Sequence, residues 1–399
     1  MRIALIRHLM DGPEGGARLI ALLARDLQAM GEQVTLYCYR YDAERCFPEV
    51  LKEVPIRCIE HIEAGSEGAG VEEGLGRLRR QLWRYFWEAR ALAALISLET
   101  EILNPHEWLA HRSAALFSRR HGTPVVWTYN DPSAWHLHMD GGWRQLAHRA
   151  FGWVDTRQIN RFAAVTTLSQ RIAVVARHAF RVPSHIVRCG VDPSGLPLPR
   201  TEPQLREGLH LLSVGVLFPH RRLEDVIRAV RMVRDAGCEC TYEIIGSDRF
   251  HPGYGIALRT LIGSLGLDGV VQARFEAVDE TDLNDAFARA DVFVFANEQQ
   301  AWGLAPLEAM LRNLPVIVSR GAGVSEVLLD RQTALLVDPR HPDQLAIAIR
   351  ELAGSPELRQ KLGERGRELV LSGYTSKHYA EQMLKLFREY ARQRYSSFA

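Results

Sequence analysis

The sequence predicts an α/β protein with two domains, each built on a parallel sheet. Residues 2–38 have the pattern strand, helix, strand, which requires parallel strands. The same alternation starts again at His210, after a proline-rich segment without periodicity. The length of 399 residues suits two domains of ordinary size. These observations together predict two α/β halves joined by a linker.

The first half opens with an apolar strand at residues 2–7. A glycine-containing loop at 11–16 and an amphipathic helix at 17–30 follow, and then a second strand at 34–38. Residues 101–108 are predicted to be a strand end and the loop after it. Later apolar segments predict three more strands, at 125–129, 162–168 and 185–190.

The second half repeats the alternation with more regular spacing. A helix at 223–236 places Val226, Ile227, Val230 and Val233 on one face. Short apolar runs predict buried strands, and periodic segments predict the helices between them. The predicted strands are 210–217, 241–246, 270–276, 291–296, 315–319 and 335–338, and a long helix at 374–394 ends the chain.

One stretch of this half carries a candidate ligand site. The strand at 291–296 leads through a loop containing Gly303 into a helix at 305–313, and a strand at 315–319 follows. The first backbone N–H groups of such a helix lack partners within the helix and attract phosphate. Glu308, one turn inside, offers acceptors for the hydroxyls of a ribose. The stretch indicates either a nucleoside-diphosphate site or an ordinary crossover with a surface glutamate.

Composition limits the class of protein. Apolar residues make up 47% of the chain and charged residues 24%, values typical of a soluble globular enzyme. The net charge of +1 argues against a nucleic-acid partner. Six cysteines without disulfide or zinc spacing indicate a reducing compartment. The strand-like start is unlike a signal peptide, and no long apolar run spans a membrane, so a cytoplasmic location is expected.

A segment at 77–98 combines arginines with aromatic residues on a predicted helix. The basic residues run from Arg77 to Arg90 and alternate with side chains such as Trp83 and Trp87. This mixture suits the face of an anionic membrane. It also suits a helix whose aromatic residues fill a core while its arginines face water. Both interpretations remain open.

Polar residues also follow predicted strands of the first half. His106 and Asn130 each come at the carboxyl end of a strand, where α/β sheets bind ligands. Trp135 and His136 lie in the segment after Asn130, which we interpret as an acceptor-side loop or helix. His136 and His138 lack acidic or thiol neighbours at a known spacing, so no metal site is predicted.

The stretch around Glu308 resembles the signature of the family-4 retaining glycosyltransferases of GT-B fold. In that family two glutamates separated by seven residues flank a glycine-containing core. Glu308 matches the second glutamate, which holds the nucleotide ribose, and Gly303 and Leu304 match the backbone that meets the diphosphate. Gln300 stands where the first glutamate touches the donor sugar, and it keeps hydrogen-bonding capacity without the charge.

Other segments match the family at single positions. Arg221 occupies a lysine position that holds the diphosphate, whereas Val216 replaces the family's arginine, and Arg222 or a first-domain residue is expected to compensate. By the same resemblance, His106 lies beside the transferred sugar. Three glycines complete the donor site: Gly15 and Gly16 in a loop facing the donor, and Gly246 at the edge of the base pocket.

The resemblance implies the GT-B architecture, two Rossmann-like doubly wound domains that face each other across a cleft. The first domain is expected at 1–195, with the terminal helix at about 378–399 crossing back to it. The linker is expected at 196–208 and the nucleotide-sugar domain at 209–377. Cys189 to Asp192 resemble the turn that ends the family's first domain.

The activity implied is retaining transfer of a hexose from a UDP- or GDP-sugar to a glycan or lipid-linked glycan. Neither a metal nor a cofactor is expected, and the enzyme is expected to work at the cytoplasmic face of a membrane or free in the cytoplasm. The alternative is a catalytically silent GT-B protein that binds a nucleotide or glycan as a regulatory or scaffolding subunit. Gln300 and Val216 motivate that alternative.

Overall fold

The computed structural model describes residues 1–12, 14–61, 84–130, 152–194, 208–276 and 280–396. It confirms the predicted α/β class, with parallel sheets in two compact units. Unit 1 contains Met1–Cys189 and Ser376–Ala399, and unit 2 contains Gly190–Thr375. The chain therefore changes units between Cys189 and Gly190, earlier than the boundary at 195 that the sequence predicts.

Close packing explains this earlier boundary. A Cβ added to Gly190 would lie 2.2 Å from the carbonyl oxygen of Tyr374, so the two backbones touch. Val191 pairs with Thr375 in a parallel bridge. Residues 190–194 are thus held by the segment that precedes the last helix. Of the predicted linker, only Gly208 lies within the described residues.

Unit 1 is a doubly wound parallel sheet. Its central strand β1 has β3 on one side and β5 on the other, and β4 and β2 pair with β3. Two isolated bridges, Leu103 with Val125 and His106 with Thr128, connect β5 to β6, which continues to β7 and β8. The strands are β1 (Arg2–Ile6), β2 (Leu9–Met10), β3 (Gln33–Tyr41), β4 (Ile56–His61), β5 (Ile102–Pro105), β6 (Val126–Thr128), β7 (Ala164–Thr167) and β8 (Ser184–Ile186).

Helices cover this sheet. Five of these helices are α1 (Gly15–Ala29), α2 (Pro48–Leu51), α3 (Ala89–Leu95), α4 (Glu107–His121) and α5 (Gln170–Ala179). Of the helix predicted at 77–98, residues 77–83 lie outside the described part of the chain. The rest consists of a π-helical turn, Arg84–Glu88, followed by α3.

Unit 2 contains six parallel strands in the order β11-β10-β9-β12-β13-β14. Its core strand β12 has the sequence Val-Phe-Val-Phe and is buried along its whole length, as strands covered on both faces require. The strands are β9 (Leu209–Val214), β10 (Cys240–Ile245), β11 (Val271–Arg274), β12 (Val292–Phe295), β13 (Val316–Ser319) and β14 (Leu335–Val337).

The helices of unit 2 bury their apolar stripes against this sheet. In the first of them, Val226, Ile227, Val230 and Val233 are fully buried, as their spacing predicts. The helices are α6 (Leu223–Asp235), α7 (Pro252–Ser264), α8 (Glu280–Arg289), α9 (Ala305–Leu311), α10 (Pro342–Gly354) and α11 (Pro356–Gly373).

The last helix, α12 (Ser376–Ser396), follows unit 2 in the chain and belongs to unit 1. It packs against α1. Tyr379 and Phe387 are buried, and Arg388 forms an ion pair of 2.7 Å with Glu32. The Tyr390 hydroxyl lies 2.8 Å from Nε2 of His185. Within the described residues, no helix combines the length and the apolar character needed to cross a membrane.

Candidate active site

The strand order of unit 2 reverses between β9 and β12. These strands are adjacent, with Leu211 opposite Val292 and Leu212 opposite Phe293. Because both strands run in the same direction, the loops that follow them, 215–222 and 296–304, emerge at one edge of the sheet. Such a switch point is where open α/β sheets bind ligands. Residues that the sequence analysis singled out separately are therefore brought together.

The loop after β9 packs tightly on the loop after β10. Gly215 has φ +146°, a conformation that favours glycine. The N–H of Leu217 donates to the carbonyl of Ser247 at 2.9 Å. A Cβ on Gly246 would lie 1.9 Å from the carbonyl oxygen of Gly215. Close backbone approach thus accounts for Gly246, and its role at the base pocket stays a prediction.

Arg221 lies at this edge beside the loop that contains Gly303. Its Nε donates to the carbonyl of Val216 at 3.1 Å, and its Cζ lies 5.9 Å from the ring centroid of Phe295. Gly303 has φ +124°, and a Cβ there would lie 2.8 Å from the same ring. The Phe295 ring therefore contacts both the predicted cation and the predicted diphosphate loop. Sequence reasoning missed Phe295, because a residue in an apolar run has no distinguishing signal.

Arg222 has a different environment from Arg221. Its Nη1 lies 2.8 Å from Glu224, its Nε donates to Asp225 at 2.9 Å, and its Nε is 3.9 Å from Glu298. These contacts tie the start of α6 to the loop after β12. The guanidinium is engaged by three carboxylates, and its predicted role at a diphosphate remains untested.

Gln300 lies in a small polar cluster. Its Oε1 accepts a hydrogen bond of 3.3 Å from Nδ2 of Asn297, and its side chain also bonds to His220. Burial, and then the charge of Arg221, lowers the pKa of His220 to about 4, so this imidazole is neutral at pH 7. Sequence reasoning missed His220 and Asn297, although His220 directly precedes the singled-out Arg221.

Glu308 occupies the first turn of α9. Its N–H donates to the carbonyl of Leu304 at 3.0 Å, and its side chain is half-buried. Leu304 precedes the helix in right-handed conformation and gives it no side-chain cap. A carboxylate in a first turn is favoured by the helix dipole. The helix dipole thus gives a structural reason for a glutamate at position 308, in addition to its predicted role at the ribose.

In unit 1, His106 directly follows β5 and is fully buried. Its Nε2 lies 2.8 Å from Oδ1 of Asn104, whose Nδ2 donates to Thr128 at 2.8 Å. Among the described residues, Nδ1 of His106 has no hydrogen-bond partner. Burial, reinforced by the charge of Arg7, lowers the pKa of His106 to about 3. The imidazole is therefore neutral and suited to hydrogen bonding rather than to carrying charge.

The two glycines of the first loop differ in their surroundings. A Cβ on Gly16 would lie 2.6 Å from Nη1 of Arg7, whose guanidinium covers the start of α1. A Cβ on Gly15 would meet nothing within 4 Å. Arg7 also lies 3.7 Å from Glu14 and 3.9 Å from Glu107. Packing against Arg7 therefore gives a reason for glycine at position 16 but not at position 15. Sequence reasoning did not identify Arg7.

The acceptor-side residues are only partly described. Asn130 lies two residues after the end of β6, and its Oδ1 has no partner within the described part of the chain. Trp135 and His136 lie outside the described residues. No group of three or more histidine, cysteine or acidic side chains among the described residues could hold a metal ion.

Comparisons with known proteins concern the family and the fold of the chain. The family described as Glycosyltransferase Family 4 matches residues 13–194, and the family described as Glycosyl transferases group 1 matches residues 202–369. The chain is 23% identical to the D-inositol 3-phosphate glycosyltransferase of Arthrobacter sp., over 90% of this chain and 86% of the relative. It is also 23% identical to the alpha-D-kanosaminyltransferase of Streptomyces kanamyceticus, over 69% and 72% respectively.

Solved structures share the fold over nearly the whole chain. Anabaena HepE in complex with UDP superposes with a TM-score of 0.75 at 17% identity, covering 98% of this chain and 100% of that one. Sucrose-phosphate synthase from Thermosynechococcus elongatus gives a TM-score of 0.73 at 19% identity, with 98% of each chain covered.

Proposed function

Because the chain belongs to the family-4 glycosyltransferases of GT-B fold, we propose that it transfers a hexose from a UDP- or GDP-sugar with retention of anomeric configuration. The observation that carries the proposal is that Arg221 and Gly303 both lie against the Phe295 ring at the switch point of unit 2, with Glu308 in the first turn of the helix that follows. UDP is the first candidate, since HepE was crystallised with UDP and with UDP-glucose.

The chemistry needs charge stabilisation above all. When the bond from the anomeric carbon to the diphosphate oxygen breaks, negative charge grows on the leaving group. Arg221 and the backbone N–H groups near Gly303 are fixed donors for that charge. The acceptor oxygen forms the new bond on the same face of the sugar, and its proton passes to the leaving phosphate. This route requires neither a protein nucleophile nor a metal or other cofactor.

The remaining predicted residues take supporting roles in this proposal. Glu308 holds the ribose and Gln300 touches the donor sugar. The neutral imidazole of His106 serves as a hydrogen-bonding group beside the transferred sugar, and Gly15 and Gly16 let the donor approach the backbone. Asn130, Trp135 and His136 lie on the acceptor side.

Titration calorimetry with UDP, GDP, ADP and dTDP tests the donor site. One nucleotide is expected to bind, and Glu308→Ala is expected to weaken it about ten- to a hundredfold through loss of a charge-assisted hydrogen bond. Glu308→Gln, which keeps an acceptor oxygen, serves as the control and should lose less affinity. Failure of all four nucleotides to bind the wild type would refute the proposal.

Turnover of a nucleotide-sugar distinguishes an active transferase from the catalytically silent GT-B protein. Gln300 and Val216 favour that alternative, because each lacks a charge that the family signature carries. A transferase releases UDP or GDP from its nucleotide-sugar when acceptor is present, and proton NMR of the product shows whether the anomeric configuration is kept. Nucleotide binding without release under any acceptor condition would favour the silent protein.

We propose a glycan or lipid-linked glycan as acceptor, in polysaccharide biosynthesis at the cytoplasmic face of a membrane. Aromatic side chains on unit 1 support contact with lipid: Phe86 is 41% exposed, Trp87 59% and Trp153 61%. Arg112 lies over Phe86 at 5.0 Å and Arg157 over Trp153 at 4.7 Å. Exposed aromatic residues beside arginines suit an anionic interface.

Liposome sedimentation tests this contact. Vesicles with anionic lipid should pull down the wild type at low salt, and neutral vesicles should not. Trp87→Ala should reduce binding severalfold, whereas Phe250→Ala, an exposed aromatic residue of unit 2, should not. If equal amounts of protein sediment with and without vesicles, the proposed contact with a membrane is wrong.

A further inference from the structure

The side chain of Asn104, on β5 of unit 1, is fully buried and its amide has one defined orientation. Its Nδ2 donates to the carbonyl of Val126 at 2.6 Å and to Oγ1 of Thr128 at 2.8 Å. A carbonyl oxygen can only accept a hydrogen bond, so the amide atom that faces Val126 must be the nitrogen. Both hydrogens of this nitrogen are therefore used, and Oδ1 faces away from β6.

His106 is held on both its backbone and its ring. Its N–H donates to the carbonyl of Ile6 at 2.7 Å, and the residue pairs with Thr128 in a parallel bridge. Its Nε2 lies 2.8 Å from Oδ1 of Asn104. Because this amide oxygen carries no hydrogen, Nε2 must supply the proton of the bond.

The other ring nitrogen then has a defined role. A neutral imidazole carries a single N–H, so a proton on Nε2 leaves Nδ1 with a lone pair that accepts hydrogen bonds. The ring is neutral because burial, reinforced by the charge of Arg7, lowers the pKa of His106 to about 3. Among the described residues, Nδ1 of His106 has no hydrogen-bond partner.

We infer that Asn104 is a positioning residue that holds His106 in the Nε2–H tautomer, so that Nδ1 serves only as a hydrogen-bond acceptor. For the ligand, the inference rests on the proposed function. The group that meets Nδ1 during transfer is a donor such as a sugar hydroxyl. An ionised phosphate or carboxylate oxygen has no proton to give, so it does not fit this atom.

Burial of the ring supports a ligand of this kind. A buried acceptor without a partner costs free energy, and a hydroxyl that donates to it removes that cost. Because His106 is fully buried, the hydroxyl reaches Nδ1 only when the groups that cover the ring move aside. The charge of Arg7 disfavours a second proton on the ring, which keeps Nδ1 from becoming a donor.

Nitrogen NMR of the wild type tests the tautomer without any ligand. The protein is labelled with ¹⁵N in its histidines, and the His106 signals are those missing from His106→Gln. At pH 7 we expect a protonated Nε2 and an unprotonated Nδ1. A proton on Nδ1, in either a neutral or a charged ring, would overturn the inference.

Two variants show whether Asn104 sets the tautomer. Asn104→Leu removes the acceptor at Nε2 and should give a mixture of the two neutral tautomers. Thr128→Val is the control, since it removes one bond to Asn104 but leaves the carbonyl of Val126 to orient the amide; it should keep the wild-type signals. Thermal melts check folding. A folded Asn104→Leu variant with unchanged His106 signals would contradict the positioning role.

A pair of His106 variants tests the acceptor at Nδ1. The amide of His106→Asn can place an oxygen near the position of Nδ1, whereas that of His106→Gln reaches the position of Nε2. We therefore expect His106→Asn to keep about tenfold more of kcat/KM, measured by UDP release from UDP-glucose or GDP release from GDP-glucose. Equal losses would overturn the acceptor role. If the wild type releases neither nucleotide, the proposed function fails, whereas the NMR result still decides the tautomer.

Discussion

At the scale of single residues, Arg221 and Arg222 show how neighbours in the chain acquire different partners. Arg221 lies beside Phe295 and the Gly303 loop, whereas Arg222 is engaged by Glu224, Asp225 and Glu298. Asp225 is 3% exposed, so losing its bidentate partner leaves a poorly solvated charge. The two arginines should therefore differ in their contributions to stability and binding.

Alanine substitutions test this difference. Arg222→Ala should lower the free energy of unfolding by about 1–3 kcal/mol, because among the described residues the Asp225 carboxylate then keeps just its ion pair with Arg228. Arg221→Ala should weaken nucleoside-diphosphate binding about tenfold or more while changing stability less. Urea unfolding and calorimetry measure the two effects, and Arg221→Lys is the control that keeps the charge. A reversed pattern would assign the diphosphate to Arg222.

Glycines also differ in ways that the sequence does not reveal. Gly246 and Gly303 leave no room for a side chain, whereas Gly15 has open space around its Cβ position. The sequence indicates that glycines occur in these loops. Only the folded chain shows which of them packing requires, since the contacting atoms are the Gly215 carbonyl for Gly246 and the Phe295 ring for Gly303.

At the scale of elements, a buried carboxylate links several strands and a helix of unit 2. Glu243 on β10 is 5% exposed on its side chain and pairs with Arg274 on β11 at 2.8 Å. It also lies 3.3 Å from Arg289 on α8 and 3.4 Å from His210 on β9. The hydrogen bond with His210, and then the two arginines, lower the pKa of Glu243 to about 2.

The depressed pKa predicts loss of stability in acid. In the unfolded chain Glu243 titrates near 4.5, so its stabilisation is complete above that pH and is lost as pH falls towards 2. The contribution is about 3 kcal/mol at most. Glu243→Gln should therefore be less stable than the wild type at pH 7, and the difference should shrink below pH ~4. Urea unfolding across this range measures it, and a pH-independent difference would contradict the prediction.

The strands and helices were largely predictable because each unit alternates apolar runs with amphipathic segments. β12 and β13 lie within the predicted strands 291–296 and 315–319. The strand predicted at 162–168 is shorter, Ala164–Thr167. Ends are harder to predict than centres, because hydrogen bonds to neighbouring strands decide where a strand stops.

At the scale of the whole molecule, the chain returns to unit 1 after completing unit 2. Phe387 on α12 is fully buried, and its removal should cost about 3–5 kcal/mol. Unit 1 should lose more stability than unit 2, since α12 belongs to unit 1. Hydrogen exchange of Phe387→Ala should show reduced protection in residues 1–189 more than in 190–375.

Phe293→Ala is the matched control. Phe293 is fully buried on β12, in the centre of the unit 2 sheet. Its removal should reduce protection in residues 190–375 first. If both variants reduce hydrogen-exchange protection in the same residues, the two units unfold together. The prediction that each helix or strand stabilises its own unit would then be wrong.

The sequence by itself determined the α/β class, the two halves, the placing of Glu308 one turn after the Gly303 loop, and the absence of charge at Gln300. These are local properties, set by residue type and spacing. Only the tertiary structure decided that Phe295 contacts both Arg221 and Gly303, that Arg222 is held by carboxylates, and that His220 meets Gln300. Those contacts depend on strand order, which brings the loops after β9 and β12 to one edge although they are far apart in the chain.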